Sequence, residues 1–108
     1  MWFIFPQIAG LGYSSMAARY AISSLEEAKA YLKHPVLGAR LVECADLVNR
    51  IPGRRIHDIF GSPDDLKFRS SMTLFAKAAP ENPTFKHAIE KYFEGKHDHR
   101  TEELLLPL

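Results

Sequence analysis

The sequence predicts an all-α fold in which residues 1–108 form a single domain, an irregular multi-helix bundle. Apolar residues recur at helical spacing in four separate segments, and the connections between these segments are short. No segment shows the sustained alternation of apolar and polar residues that is typical of a half-buried strand. The chain is long enough to bury one modest core and too short for two.

The first predicted helix covers residues 24–33. Ser24 and Glu27 have the spacing of a capping box, in which a hydroxyl and a carboxylate each bond to an unpaired amide at the helix start. A second helix is expected to begin near Pro35, because proline fits the first turn of a helix. Apolar residues then recur at helical spacing until Pro52-Gly53 stops the run.

Two further helices are expected to follow this stop. Apolar residues within 56–60 predict a short helical turn, which Gly61 ends in the left-handed conformation. Ser62 is then expected to cap a third main helix, with Pro63 in its first turn. The helical pattern stops near Pro80.

The last part of the sequence predicts one more main helix and a short final one. The main helix begins at Pro83 or Thr84 and ends at Gly95, with apolar residues on one face. A last helical turn runs from Thr101 to Leu106.

Both ends of the chain are apolar. Residues 1–11 contain a single polar side chain, that of Gln7, so this segment is expected either to lie in a groove of the core or to follow a lost segment. Four of the five residues in 104–108 are leucine, and leaving them all in water would be costly. They are expected to dock on the protein's own core or on a second copy, which makes a homodimer through the apolar termini an expected assembly.

Composition limits the classes of partner. A formal net charge of +1, from 14 basic and 13 acidic residues, gives no electrostatic reason to expect nucleic acid or an anionic membrane. The single cysteine, Cys44, cannot form an internal disulfide and is expected to be a small buried hydrophobe in a cytoplasmic protein. A small polar or nucleotide-like molecule is the expected ligand class, and no cofactor is implied.

Several strings identify a family resemblance. Trp-Phe-Ile-Phe-Pro-Gln at 2–7, His-Pro-Val-Leu-Gly at 34–38 and Ser-Ser-Met-Thr-Leu-Phe at 70–75 resemble the DUF1810 family of small bacterial proteins of unknown function. The resemblance implies a predominantly helical fold. It also implies a further N-terminal helix before the first string, and this sequence lacks it. The family has no established reaction, so the resemblance assigns no catalytic residue.

The first candidate for a functional site lies within residues 69–73. Three hydroxyl side chains in the middle of a helix are unusual, because they compete for backbone hydrogen bonds. The structural explanation is a close helix crossing in which the hydroxyls bond to carbonyls four residues back. The functional explanation is a polar strip of Arg69, Ser70 and Thr73 that lines a pocket, with Asp65 holding Arg69 at i,i+4 spacing.

Two further candidates lie near the N-terminus. Gly10 and Gly12 precede a short predicted helix that carries Arg19 and Tyr20, and amides at such a helix start can face an anion. An ordinary turn and cap is the structural alternative. Gln7 is isolated in an apolar string, so its amide needs a partner, which is either a neighbouring loop or a ligand.

Two polar segments fit solvated structure better than a functional site. His97-Asp98-His99 offers two metal ligands, but no third ligand follows at a recognised spacing, so no metal is expected. Arg54-Arg55 with His57 and Asp58 is a polar connector, for which a phosphate contact is the functional alternative.

Three functional hypotheses follow. The leading one is a small-molecule or nucleotide binding module, in which Trp2 and Phe5 form a flat apolar wall beside Arg69. The second is a hydrolase of the N-glycosidase type that uses Asp65, Arg69 and Gln7 around a stacked ring. The third is a protein-interaction module that offers its apolar ends to another chain. The sequence assigns the protein neither to the enzymes nor to the non-enzymes.

Overall fold

The computed structural model describes residues 4–11 and 21–106, and the described part of the chain confirms the all-α prediction. The only extended pairing within it is a single parallel bridge between Ile8 and Ile22. None of its helices is long and apolar enough to cross a membrane. In chain order the helices are α1 (Leu25–Lys33), α2 (Leu37–Asn49), α3 (Ile56–Phe60), α4 (Asp64–Ala78), α5 (Pro83–Phe93) and α6 (His99–Leu105).

Helix α4 is the centre of the bundle. All residues from Ser70 to Phe75 are buried, on every side of the helix. A helix buried all round must be covered by several neighbours, and α4 packs against α1, α3, α5 and α6. Helix α2 closes the bundle by packing against α1 and α5. The hydroxyl-bearing stretch of α4 therefore lies in the deepest part of the protein.

The N-terminal segment is part of the core where the structure describes it. Phe5 is 4% exposed, and its ring meets that of Phe68 edge-on with the centroids 5.0 Å apart. The backbone is fixed by two hydrogen bonds, from the Ile22 amide to the Gln7 carbonyl (2.7 Å) and from the Ala9 amide to the Ile22 carbonyl (2.8 Å). The apolar start is thus seated among the helices.

The start of α1 follows the capping prediction in part. The Ser24 hydroxyl accepts from the Glu27 amide at 3.1 Å. The Glu27 carboxylate reaches back one residue further than a capping box requires, and accepts from the amide and hydroxyl of Ser23. Both groups still satisfy amides at the helix start.

The predicted cap of α4 is wrong. The helix begins at Asp64, and the Ser62 hydroxyl does not cap it. The Asp65 amide donates to the Gly61 carbonyl at 2.9 Å, and the Asp65 carboxylate accepts from the Leu66 amide at 2.8 Å. The Asp65 amide, which a capping Ser62 hydroxyl could have bound, is thus satisfied by a backbone carbonyl, and the Asp65 carboxylate satisfies the next amide along the chain.

The junction of α1 and α2 depends on two residues. The His34 Nδ1 atom accepts from the amides of Val36 (3.1 Å) and Leu37 (3.0 Å), so an imidazole caps α2. Gly38 is buried against α1, and a Cβ atom placed on it would lie 2.1 Å from the Leu32 carbonyl oxygen. Only glycine allows the two helices to approach so closely.

Cys44 and part of the C-terminal segment are less buried than the sequence predicts. Cys44 lies half-buried against the core and not inside it. In the C-terminal segment, Leu104 and Leu105 pack partly against the core, whereas Leu106 is 67% exposed. Residues 107–108 lie outside the described part of the chain.

Candidate functional site

Arg69 has a structural role. Its Nε atom donates to the Lys96 carbonyl at 2.9 Å and its Nη2 atom donates to the His97 carbonyl at 3.0 Å. The guanidinium carbon lies 5.6 Å from the centroid of the Phe93 ring. Asp65 does not hold this side chain as expected, because its carboxylate faces His57. Arg69 therefore ties the connector between α5 and α6 to α4.

The hydroxyls of α4 bond within the protein. Ser70 donates to the Leu66 carbonyl at 3.1 Å, and Thr73 donates to the Arg69 carbonyl at 2.9 Å. Thr73 also accepts from the Asp98 amide at 2.8 Å. These bonds match the structural explanation, in which hydroxyls bond carbonyls four residues back.

Of the candidate residues near the N-terminus, some pack in or against the core and the others lie outside the described residues. Phe5 is buried among other phenylalanines, so it offers no open wall. Gln7 is half-buried and joins the bridge to Ile22 through its backbone carbonyl. Trp2, Arg19 and Tyr20 lie outside the described residues, as do Gly12 and the short helix predicted after it.

The 97–99 segment serves the start of α6. Asp98 caps the helix by accepting from the Thr101 amide at 2.9 Å. The His99 Nε2 atom lies 2.7 Å from the Glu103 carboxylate, one turn along the same helix. Across residues 4–11 and 21–106, no group of three or more potential ligands could hold a metal ion.

A cleft with several cationic side chains lies where the connector before α3 meets the end of α5. Its volume is about 450 Å³. We call it the basic cleft, and it is lined by Arg54, Arg55, Ile56, His57, Lys91, Tyr92 and Glu94. The connector was noted in the sequence for its arginines, and the structure adds the residues of α5.

Hydrogen bonds to the end of α2 fix the α5 wall of the basic cleft. Lys91 Nζ donates to the carbonyls of Asn49 and Ile51, the latter at 2.9 Å, and the Tyr92 hydroxyl donates to the Val48 carbonyl. A lysine that binds the last carbonyls of a helix also meets the negative end of its dipole. These hydrogen bonds attach the α5 wall to the end of α2.

The connector wall of the basic cleft is more open. Arg55 is 84% exposed at its side chain, with Nε 3.5 Å from the Asp58 carboxylate. The Arg55 amide holds the pKa of Asp58 below its usual value, and the charges of Arg55 and Arg54 lower it further. His57 is 60% exposed at its side chain, and its Nδ1 atom lies 3.4 Å from the Asp65 carboxylate.

The family follows from two comparisons. The DUF1810 model, described as a protein of unknown function, matches residues 1–105. The chain belongs to the DUF1810 family. The structure is also similar to the crystal structure of the conserved hypothetical protein Rv1873 from Mycobacterium tuberculosis, with a TM-score of 0.97. The two sequences are 57% identical, and the match covers 99% of this chain and 76% of that chain. No curated protein matches the sequence.

The lining of this DUF1810 chain's basic cleft has three permanent cations, Arg54, Arg55 and Lys91, and one carboxylate. Within the described residues no ion pair involves Arg54, and Lys91 donates to two carbonyls and lies 5.2 Å from the centroid of the Tyr92 ring. Glu94, the one carboxylate in the lining, lies 3.7 Å from Lys96. The cleft therefore carries an excess of positive charge in a protein that is nearly neutral overall.

Proposed function

We propose that this DUF1810 chain is a small-molecule binding module that takes a phosphate-bearing, nucleotide-type metabolite in the basic cleft. The observation that carries the proposal is the convergence of Arg54, Arg55 and Lys91 on one cleft with a single carboxylate in its lining. Guanidinium groups bind phosphate through two parallel hydrogen bonds, and an ammonium adds a point charge.

The walls of the basic cleft also suit a ring. Tyr92, which is half-buried, and Ile56, of which 7% is exposed, both line the cleft beside the cations, and they supply its carbon surface. The volume of about 450 Å³ falls in the range of about 300–1,000 Å³ that is typical of small-molecule sites. A nucleotide would place its phosphate at the arginines of the connector and its base against the α5 wall.

The net charge argues against nucleic acid and anionic membranes as partners. A net charge of +1 gives little attraction to a nucleic acid or an anionic membrane, so the ligand is a small molecule. We place the protein in the cytoplasm, where a lone cysteine is compatible with the reducing conditions.

To test the proposal, the affinities of the protein for adenosine monophosphate, adenosine and inorganic phosphate are measured by calorimetric titration. Adenosine monophosphate is expected to bind most tightly, because only it offers both phosphate and ring. Arg54→Ala is expected to weaken its binding roughly tenfold to a hundredfold, the effect of one lost charged hydrogen bond. Arg40→Ala, which removes an exposed arginine of α2 outside the cleft, is the matched control. Equal affinities for the two variants would contradict the proposal.

One observation favours hydrolysis as a second candidate function. The Asp65 carboxylate faces His57 Nδ1, which leaves Nε2 of an exposed imidazole beside the arginines. In an N-glycosidase reaction, Nε2 would take a proton from water while the water oxygen bonds to the sugar carbon. The bond from that carbon to the base breaks, and the base leaves with the proton. Chromatography for released base, with His57→Asn as the inactive control, tests this function.

A further inference from the structure

His57, in the lining of the basic cleft, is oriented by a carboxylate that has a second partner. The Asp65 side chain is 16% exposed. Its Oδ1 atom accepts from the Leu66 amide at 2.8 Å, and its Oδ2 atom lies 3.4 Å from His57 Nδ1. An ionised carboxylate can only accept hydrogen bonds, so His57 Nδ1 is the donor. The lone pair of the neutral imidazole is therefore on Nε2.

The imidazole shares the basic cleft with cations. Arg54, Arg55 and Lys91 line the cleft together with His57. Arg55 lies 3.5 Å from Asp58, whereas Arg54 makes no ion pair within the described residues. Lys91 donates to carbonyls, which are neutral, so it keeps its net charge. An oriented imidazole with a free lone pair, beside cations, is the arrangement of a nucleophile that faces an anionic substrate.

We propose that His57 Nε2 accepts a phosphoryl group in the basic cleft from an acyl phosphate. This activity rests on the proposed function only for the phosphate subsite, because the same cations would hold the transferred group. It does not need a ring against the α5 wall. An acyl phosphate and a nucleotide would therefore compete for one subsite.

The transfer step balances without a further reactant. The Nε2 lone pair forms the bond to phosphorus, and the bond from phosphorus to the bridging oxygen breaks. Its electron pair leaves with that oxygen as a carboxylate. Nδ1 keeps its proton, so the ring becomes positively charged, and the Asp65 carboxylate faces that charge. The side chains of Arg54 and Lys91 offset the negative charge on the oxygens of the transferred group.

The class of donor follows from the carboxylates at the site. An alkoxide leaving group would need a proton from a general acid. Both oxygens of Asp65 are engaged, by His57 and by the Leu66 amide. Glu94, the one carboxylate in the lining, pairs with Lys96 at 3.7 Å. A donor whose leaving group is a weak base and needs no proton, such as an acyl phosphate, fits this arrangement.

His99 is a matched control within the chain. Its Nε2 atom lies 2.7 Å from the Glu103 carboxylate, and an arginine, Arg100, lies 3.4 Å from the same side chain. The His99 side chain is exposed, and it does not line the basic cleft. A preference for phosphorylation of His57 over His99 therefore measures what the cleft adds to an ordinary exposed pair of histidine and carboxylate.

Incubation with acetyl phosphate, followed by digestion at alkaline pH and tandem mass spectrometry, tests the proposal. Phosphohistidine survives alkali and is lost in acid, so the label is expected to be acid-labile. The occupancy of His57 is expected to exceed that of His99 at least about tenfold, because preorganised cations stabilise the transferred group only in the cleft. His57→Asn is expected to remove the label.

Two variants separate positioning from binding. Asp65→Asn is expected to lower the maximal rate of labelling at least about tenfold, with little change in the acetyl phosphate concentration that gives half-maximal rate. Arg54→Ala is expected to raise that concentration roughly tenfold, because it removes a charged contact to phosphate. Arg54 is exposed, so this variant keeps the test valid if Asp65→Asn has a lowered unfolding midpoint.

The possible results distinguish this proposal from the proposed function. Binding of adenosine monophosphate without phosphate on His57 would overturn the phosphoryl transfer and leave the nucleotide site standing. Phosphate on His57 without binding of adenosine monophosphate would do the reverse. Equal occupancy of His57 and His99, or labelling of His57 that neither Arg54→Ala nor Asp65→Asn slows, would indicate only the general reactivity of exposed imidazoles and would overturn the proposal.

Discussion

Thr73→Val tests whether the hydroxyls of α4 serve the fold. Thr73 is fully buried, and its Oγ atom accepts from the Asp98 amide at 2.8 Å and donates to the Arg69 carbonyl at 2.9 Å. Valine keeps the shape of the side chain and removes both bonds. The Asp98 amide then has no acceptor in a partly buried position, which costs about 1–3 kcal/mol of unfolding free energy.

Ser71→Ala is the matched control on the same helix. Ser71 is also fully buried, but its hydroxyl has no hydrogen-bond partner in the described structure. Removing an unsatisfied hydroxyl is expected to leave the unfolding free energy unchanged or to raise it by up to about 1 kcal/mol. Both substitutions remove a buried hydroxyl from the same helix, so a loss seen only in Thr73→Val is due to the two bonds of Thr73.

Urea unfolding of the parent chain and both variants measures these effects. The midpoint of Thr73→Val is expected to fall at an unchanged slope, and that of Ser71→Ala to stay or rise. Hydrogen exchange of the Asp98 amide is expected to accelerate in Thr73→Val alone, because that amide loses its acceptor. Equal midpoints for the two variants, or slow exchange at Asp98 in Thr73→Val, would refute the reasoning.

Three further predictions concern α1 and α2. Gly38→Ala is expected to destabilise the protein by about 1–3 kcal/mol or more, although alanine favours helices, because its Cβ would meet the Leu32 carbonyl; thermal unfolding measures this. His34→Ala removes the imidazole cap of α2 and is expected to cost about 1 kcal/mol in urea unfolding, and no loss would mean that the cap is not formed. Burial raises the pKa of Tyr31, and the charge of Arg40 opposes this shift. The contribution of Tyr31 to the unfolding free energy is therefore complete below pH about 10, and it is lost as the pH rises through the raised pKa. Ultraviolet titration is expected to show a late tyrosinate signal from Tyr31 that is missing in Tyr31→Phe.

The helices could be predicted where their signals are local. Periodic apolar residues and a serine cap gave a helix over 24–33, and the structure has Leu25–Lys33. The cap at Ser62 failed because the Gly61 carbonyl binds the Asp65 amide that the hydroxyl could have bound, and spacing alone does not rank the two acceptors.

The contacts of the polar strip depend on residues far apart in the chain. The sequence showed that Thr73 needs a compensating partner, but the Asp98 amide that binds its hydroxyl comes from the start of α6. Arg69 likewise binds two carbonyls of the connector between α5 and α6, and not the carboxylate one turn away on its own helix. Local spacing favoured Asp65, and the tertiary fold decided otherwise.

The sequence indicated only the connector wall of the basic cleft. Arg54-Arg55 and His57 form a local cluster that stood out as a polar connector. Lys91 reads as an ordinary last-turn lysine of a helix, and no periodic signal places it beside the arginines. Its bonds to the carbonyls that end α2 bring it there.

The central claim is that a nucleotide-type ligand binds in the basic cleft and not along the α4 strip. Amide proton–nitrogen correlation spectra recorded during a titration with adenosine monophosphate test it most directly, because they show which residues respond. The account predicts saturable shifts centred on residues 54–58 and 91–94, with small effects at 69–73, and their loss in Arg54→Ala. Shifts centred on 69–73, or no saturable shift at the cleft, would contradict it.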